Sequence, residues 1–177
     1  MKKRLEEILC SVTGVVIATV VLWAIIITIA CLTALASGPG YNDISQTENQ
    51  TVIRLTEQVA EIYPICPELL QAMVFYESSN KMSAKSGKCI GYMQVSTKYH
   101  SGRADKLGVS LYDGYGNILT GTDYLMDLCE QYGDVATALM IYNGTSDAVE
   151  RGENGNLTDY ARNILDLSEK LERKHGK

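Results

Sequence analysis

The hydrophobic pattern changes character once along the chain, near residue 37. From Ile8 to Asn42 no residue is charged, and Val12–Leu35 is almost wholly apolar. As a helix these 24 residues would be about 36 Å long, enough to cross a hydrocarbon core of about 30 Å. Ser37-Gly38-Pro39-Gly40 would break that helix, and Tyr41–Gln50 is polar. Beyond it, apolar residues recur at helical spacing. Leu55, Val59 and Ile62 predict one helix, ended by Pro64. Pro67 suits the first turn of a second, with Leu69, Leu70, Met73 and Val74 as its stripe. Lys81–Lys88 reads as loop and Ile90–Val95 as a short strand or extended segment. Asn117 is placed to cap a long helix carrying Ile118, Leu125, Met126 and Cys129, closed by Gly133. Asp134 caps the next, which runs to Tyr142, and Tyr160, Ile164, Leu167 and Leu171 mark a last one. The expected fold is mainly α. The chain divides into a tail (1–11), a transmembrane segment (12–36), a linker (37–50), one compact domain (51–172) and a polar tail (173–177).

Charge fixes the expected orientation. Lys2, Lys3 and Arg4 precede the apolar segment, while Asp43 and Glu48 follow it, so the positive-inside rule places the N-terminus in the cytoplasm and the domain outside. Ala34-Leu35-Ala36 would also suit signal-peptide cleavage, but a signal peptide's apolar region spans only about 7–15 residues. An uncleaved, single-pass membrane anchor is therefore the expectation. The net charge is −5; Met1–Glu7 holds three basic and two acidic residues, leaving 13 Lys+Arg against 19 Asp+Glu. An acidic domain without a basic stripe argues against nucleic acid as a partner. Cys66, Cys89 and Cys129 fall in the domain, an odd number whose pairing the sequence leaves open. No His accompanies them at zinc-ligand spacing, so neither a metal nor a cofactor is expected.

One carboxylate breaks the pattern. Leu70, Met73, Val74 and Glu77 stand at i, i+3, i+4 and i+7, so helical geometry puts Glu77 on the apolar stripe. It is then an ionised group with a buried partner, an acid kept protonated by its surroundings, or a residue at a frayed end turned to solvent. Near a helix C-terminus the macrodipole disfavours the anion, and burial does the same. Both would raise the pKa, as a general acid requires.

The residues around Glu77 carry a resemblance. Tyr76-Glu77-Ser78 is followed by Gly91-Tyr92-Met93-Gln94, by Leu111-Tyr112-Asp113…Asn117-Ile118 and by Ile141-Tyr142-Asn143-Gly144. In order and spacing this resembles the catalytic domain of the soluble lytic transglycosylases, relatives of goose-type lysozyme, over about Thr51–Leu171. The resemblance implies a lysozyme-like fold behind the membrane helix, with Glu77 as the catalytic acid. It implies substrate contacts from Ser86, Gly91, Met93, Gln94, Tyr142, Asn143 and Tyr160, with Asp113 and Asn117 as turn and capping residues. The implied reaction cleaves the MurNAc-GlcNAc bond of peptidoglycan and leaves a 1,6-anhydro end. A muramidase, or a glycan-binding part of a secretion or conjugation machine, is the alternative on the same fold. Tyr92 stands where Leu is usual, Ile141 where Ala is usual and Gly144-Thr145 where Ala-Gly is common, and the Pro usual after the Gln is missing. Such departures are expected to reshape sugar subsites.

Overall fold

In the structure, a computed structural model, residues 48–177 are described. The 12–36 membrane segment, the 1–11 tail and linker residues 37–47 lie outside them, and no helix among the described residues is long and apolar enough to cross a membrane. Seven helices and three two-residue strands follow: α1 (Gln50–Ala60), α2 (Pro67–Ser78), β1 (Lys85–Ser86), β2 (Cys89–Ile90), β3 (Val95–Ser96), α3 (Thr97–Leu107), α4 (Gly114–Tyr132), α5 (Val135–Tyr142), α6 (Ala148–Glu153) and α7 (Asp159–Lys174).

The domain begins inside the expected linker. Asn49 caps α1, its side chain accepting from the Thr51 and Val52 amides at 2.9 and 3.3 Å. Val52, Leu55 and Val59 are buried from α1, whereas Ile62 lies past its end and is 56% exposed. Pro67 opens α2, where its missing N–H costs no hydrogen bond. This helix is the centre of the domain: every residue from Glu68 to Val74 is buried. Its main packing partners are α7 and α1, while α4 packs on α5. Ile118 and Leu125 of α4, Leu139 and Met140 of α5, and Ile164 and Leu171 of α7 complete a continuous core with Leu70 and Met73. Fully burying such a side chain contributes about 1.5–3 kcal/mol each.

Three expectations change. Ile90–Val95 is not one strand: β2 and β3 flank a turn at Gly91–Gln94 in an antiparallel sheet ordered β1-β2-β3, with Ile90 opposite Val95. The cap of α4 is Asp113, whose side chain accepts from the Gly116 amide at 2.7 Å; Asn117 is one turn inside and fully buried. Residues 173–177 are part of the fold, since α7 runs to Lys174 and both His175 and Lys177 reach the buried Glu68. Gly133, as expected, closes α4 in the left-handed conformation (φ +69°).

Candidate active site

Glu77 is the penultimate residue of α2, half-buried, at the end where the helix dipole disfavours an anion. The chain turns away immediately afterwards, with Ser79 (φ +50°) and Asn80 (φ +61°) both left-handed. Across from it, Thr158 caps α7 through the Ala161 amide at 3.3 Å, which puts Tyr160 in the first turn. The Tyr160 hydroxyl donates to Oε1 of Glu77. Burial raises the Glu77 pKa, and the Tyr160 hydrogen bond, which favours the carboxylate, takes back only part of that rise. Burial, followed by the Glu77 charge, pushes the Tyr160 phenol far up, so it remains a donor.

A second tyrosine faces the same charge. The phenol of Tyr142, the last residue of α5, is pushed up by burial and then by Glu77. Its hydroxyl donates to the Met93 carbonyl at 2.9 Å, which ties α5 to the Gly91–Gln94 turn. A glycine in α4 makes room for this junction. A Cβ on Gly121 would lie 2.8 Å from the Met93 sulfur and 3.0 Å from the Tyr142 oxygen.

The turn itself is held from beneath by Asn117. Its Oδ1 accepts from the Met93 amide at 2.9 Å, and its Nδ2 donates to the carbonyls of Ile90 and Leu111, both at 3.0 Å. Gly91 (φ +79°) sits so close above it that a Cβ would come within 2.3 Å of that nitrogen. Gln94 is itself left-handed (φ +45°) and donates from Nε2 to the carbonyls of Gly91 and Ala84, at 2.9 and 3.2 Å. Asn117, which the sequence pattern makes a helix cap, is thus a positioning residue. Its full burial one turn inside the helix is what marks that role, and a lone Asn in a sequence does not show it.

The remaining candidates are more scattered. The Met93 side chain is wholly buried, and only its backbone joins the site. Ser86 is exposed on β1 opposite Cys89, and Asn143 is exposed at the end of α5. Tyr92 is 7% exposed and packs where a Cβ on Gly114 would meet its ring at 2.9 Å. The residue that departs from the usual Leu is thus part of the core. Cys66, Cys89 and Cys129 are free thiols. Among the described residues no cluster of three or more His, Cys, Asp or Glu could hold a metal ion.

Residues 54–164 match the model of the transglycosylase SLT domain. The chain belongs to the transglycosylase SLT domain family. The X-ray structure of an inactive Glu-to-Gln mutant of the lytic transglycosylase Slt from Pseudomonas aeruginosa superposes with a TM-score of 0.60 at 19% identity. The match covers 70% of this chain and 24% of that one, so this chain spans about a quarter of that protein's length. The SLT fold is thereby shared with a far larger protein, and Glu77, Tyr160 and the Asn117-held turn lie within the matched residues.

Proposed function

We propose that this SLT domain is a peptidoglycan lytic transglycosylase in which Glu77 acts first as acid and then as base. The supporting observation is the setting of Glu77: a half-buried carboxyl whose pKa burial raises, whose hydrogen bond comes from the Tyr160 phenol, and around which neither the Gly91–Gln94 turn nor Tyr142-Asn143 supplies a second carboxylate. Ordinary glycosidases place a second carboxyl about 5–9.5 Å from the first. A single acid fits a route in which the substrate supplies the missing nucleophiles. Protonated Glu77 gives its proton to the glycosidic oxygen between MurNAc and GlcNAc, and that C–O bond breaks. The MurNAc acetamido oxygen stabilises the oxocarbenium-like centre. The Glu77 carboxylate then takes the proton of the MurNAc 6-hydroxyl as its oxygen bonds to C1, giving the 1,6-anhydro end.

Tyr160 holds the carboxylate form between the two proton transfers, and Gln94, Ser86 and Asn143 border the path of the strand. Gly91 and Met93 act through the backbone of the turn, and Tyr142 anchors it. On this reading residues 12–36 anchor the domain outside the cytoplasmic membrane, where its substrate is. Mass spectrometry of peptidoglycan digested with the purified protein tests the reaction. Anhydro-MurNAc ends are the expected product; reducing MurNAc ends would mean that water completes the reaction, as in a muramidase.

A further inference from the structure

Helix α3 follows the Gly91–Gln94 turn with only β3 between them. Its hold on the rest of the domain differs from that of the other long helices. Ala104 is its only buried residue, so apolar packing contributes little, and it rests chiefly on α4 and β3. A polar fork takes the place of an apolar stripe. Arg103 donates from Nη1 to Asp123 and from Nη2 to Asp127, the latter at 2.6 Å. The two carboxylates stand one turn apart on α4, so one planar guanidinium reaches both. The Tyr63 hydroxyl, from the loop between α1 and α2, holds the other oxygen of Asp123 at 2.7 Å.

The fork also covers a ring. The guanidinium lies 5.5 Å from the centroid of Tyr124. The His100 ring, one turn before Arg103 on α3, lies 4.3 Å from that of Tyr124. Burial, followed by the Arg103 charge, pushes the His100 pKa down, so the imidazole that meets Tyr124 is neutral. Tyr124 in turn packs against Tyr142, with centroids 5.4 Å apart. The Tyr142 hydroxyl donates to the Met93 carbonyl at 2.9 Å, and its phenol feels the Glu77 charge. The contacts run in one unbroken series from Arg103 to Tyr124, to Tyr142, and from there to the turn and the acid.

A partly exposed ion pair adds little to stability. What a guanidinium fork adds is geometry, because its donors lie in one rigid plane. Close-packed side chains pass a displacement on to their neighbours. We infer that Arg103 is a positioning residue for the reaction at Glu77: its fork on Asp123 and Asp127 fixes Tyr124 against Tyr142, and so sets the Met93 carbonyl and the turn relative to the acid. Arg103 acts through these residues and not on the substrate. The inference rests on the proposed function, since it concerns the same site.

The test uses the full-length protein and glycan strands freed of peptide by an amidase, at a temperature well below unfolding. Arg103→Met keeps the length of the side chain and removes the fork. Its kcat is expected to fall about tenfold, within the penalty of up to about 10²-fold for misplaced reacting groups, with KM within about twofold of wild type. Arg103→Lys is expected to fall as far, because an ammonium cannot grip both carboxylates and lie flat on the ring. Tyr124→Leu cuts the series at its next member, and adding Arg103→Met to it should lower kcat no further. Wild-type kcat in Arg103→Met, a change confined to KM, full rescue by lysine, or a double variant whose losses multiply would each overturn the assignment. If Arg103→Met does not fold, Asp127→Asn takes its place, since it removes the more exposed arm of the fork. A loss in kcat of about threefold, the scale of one exposed ion pair, upholds the role, and no loss overturns it. A wild-type protein that cleaves no glycan would defeat the proposed function alone. Carbon NMR titration of Glu77 then decides. A pKa that falls towards 4.5 in Arg103→Met, as water enters beside a loosened Tyr142, upholds the positioning role, and an unmoved pKa overturns it.

Discussion

Helix α2 carries a fully buried carboxylate near one end and a half-buried one near the other, and the two are treated in opposite ways. Glu68, in the first turn, is 1% exposed. It accepts from the Cys66 thiol at 2.8 Å, from His175 Nδ1 at 2.8 Å and from Lys177 Nζ at 2.8 Å. Burial works against the anion, yet these donors hold the Glu68 pKa down at about 2. It also sits at the positive end of the helix dipole. In return its charge, after burial, helps push the Cys66 thiol up to about 11, so that thiol is inert. Glu77, nine residues on, is at the negative end with one neutral donor, and its pKa is raised. Burial pushes the pKa of both upward. The number and charge of the partners decide whether a buried carboxylate is a structural anion or an acid with a proton to give.

The comparison can be broken from either end. The largest effect is expected at Glu77: Glu77→Gln keeps the shape and removes the proton, so wall-digesting activity falls about 10³-fold, the span of a general acid. Release of soluble fragments from purified cell walls measures it. Next comes Glu68→Gln, which leaves a lysine and a histidine without their anion and costs about 2 kcal/mol in urea unfolding. The pH dependence has a definite sign. Because the folded pKa of Glu68 lies below its ordinary 4.5, its stabilisation is present above pH 4.5 and is lost as pH falls towards 2. The Gln variant lacks that acid loss.

Tyr160→Phe is the third. It removes the donor that favours the Glu77 anion, so the pKa of Glu77 rises further and the alkaline limb of the pH–rate profile moves up. The rate at the optimum falls about tenfold, since the carboxylate formed between the two proton transfers has lost its partner. The smallest effect concerns stability at Glu77. A raised folded pKa means that the stability contribution is present below the ordinary 4.5 and lost as pH rises through the folded value. Glu77→Gln should therefore unfold at a higher temperature than wild type near neutrality, and at the same temperature in acid, by calorimetry at the two pH values.

One half of this contrast is legible in the amino-acid sequence and the other is not. Glu77 stands out because it sits on an apolar stripe, and Tyr160 because it opens another; periodicity finds residues whose neighbours are three or four positions away. The same reasoning predicts α2, α5 and α7, where caps and stripes agree. It misses α3, whose only buried residue is Ala104, because a helix with almost no apolar stripe has no period to read. Asn117 is misjudged because an Asn before an apolar run looks like a cap, while the true cap stands four residues earlier at Asp113. Glu68 gives no signal at all. Its partners His175 and Lys177 are 107 and 109 positions away, and only the packing of α7 on α2 brings them to it.

Direct titration of the two carboxylates on α2, by carbon NMR of the glutamate side chains in the intact protein, measures the central claim. Glu77 should titrate above the ordinary 4.5 and Glu68 near 2. A Glu77 that titrates at or below 4.5 would be an ordinary carboxylate, and the account of it as the proton donor would be contradicted.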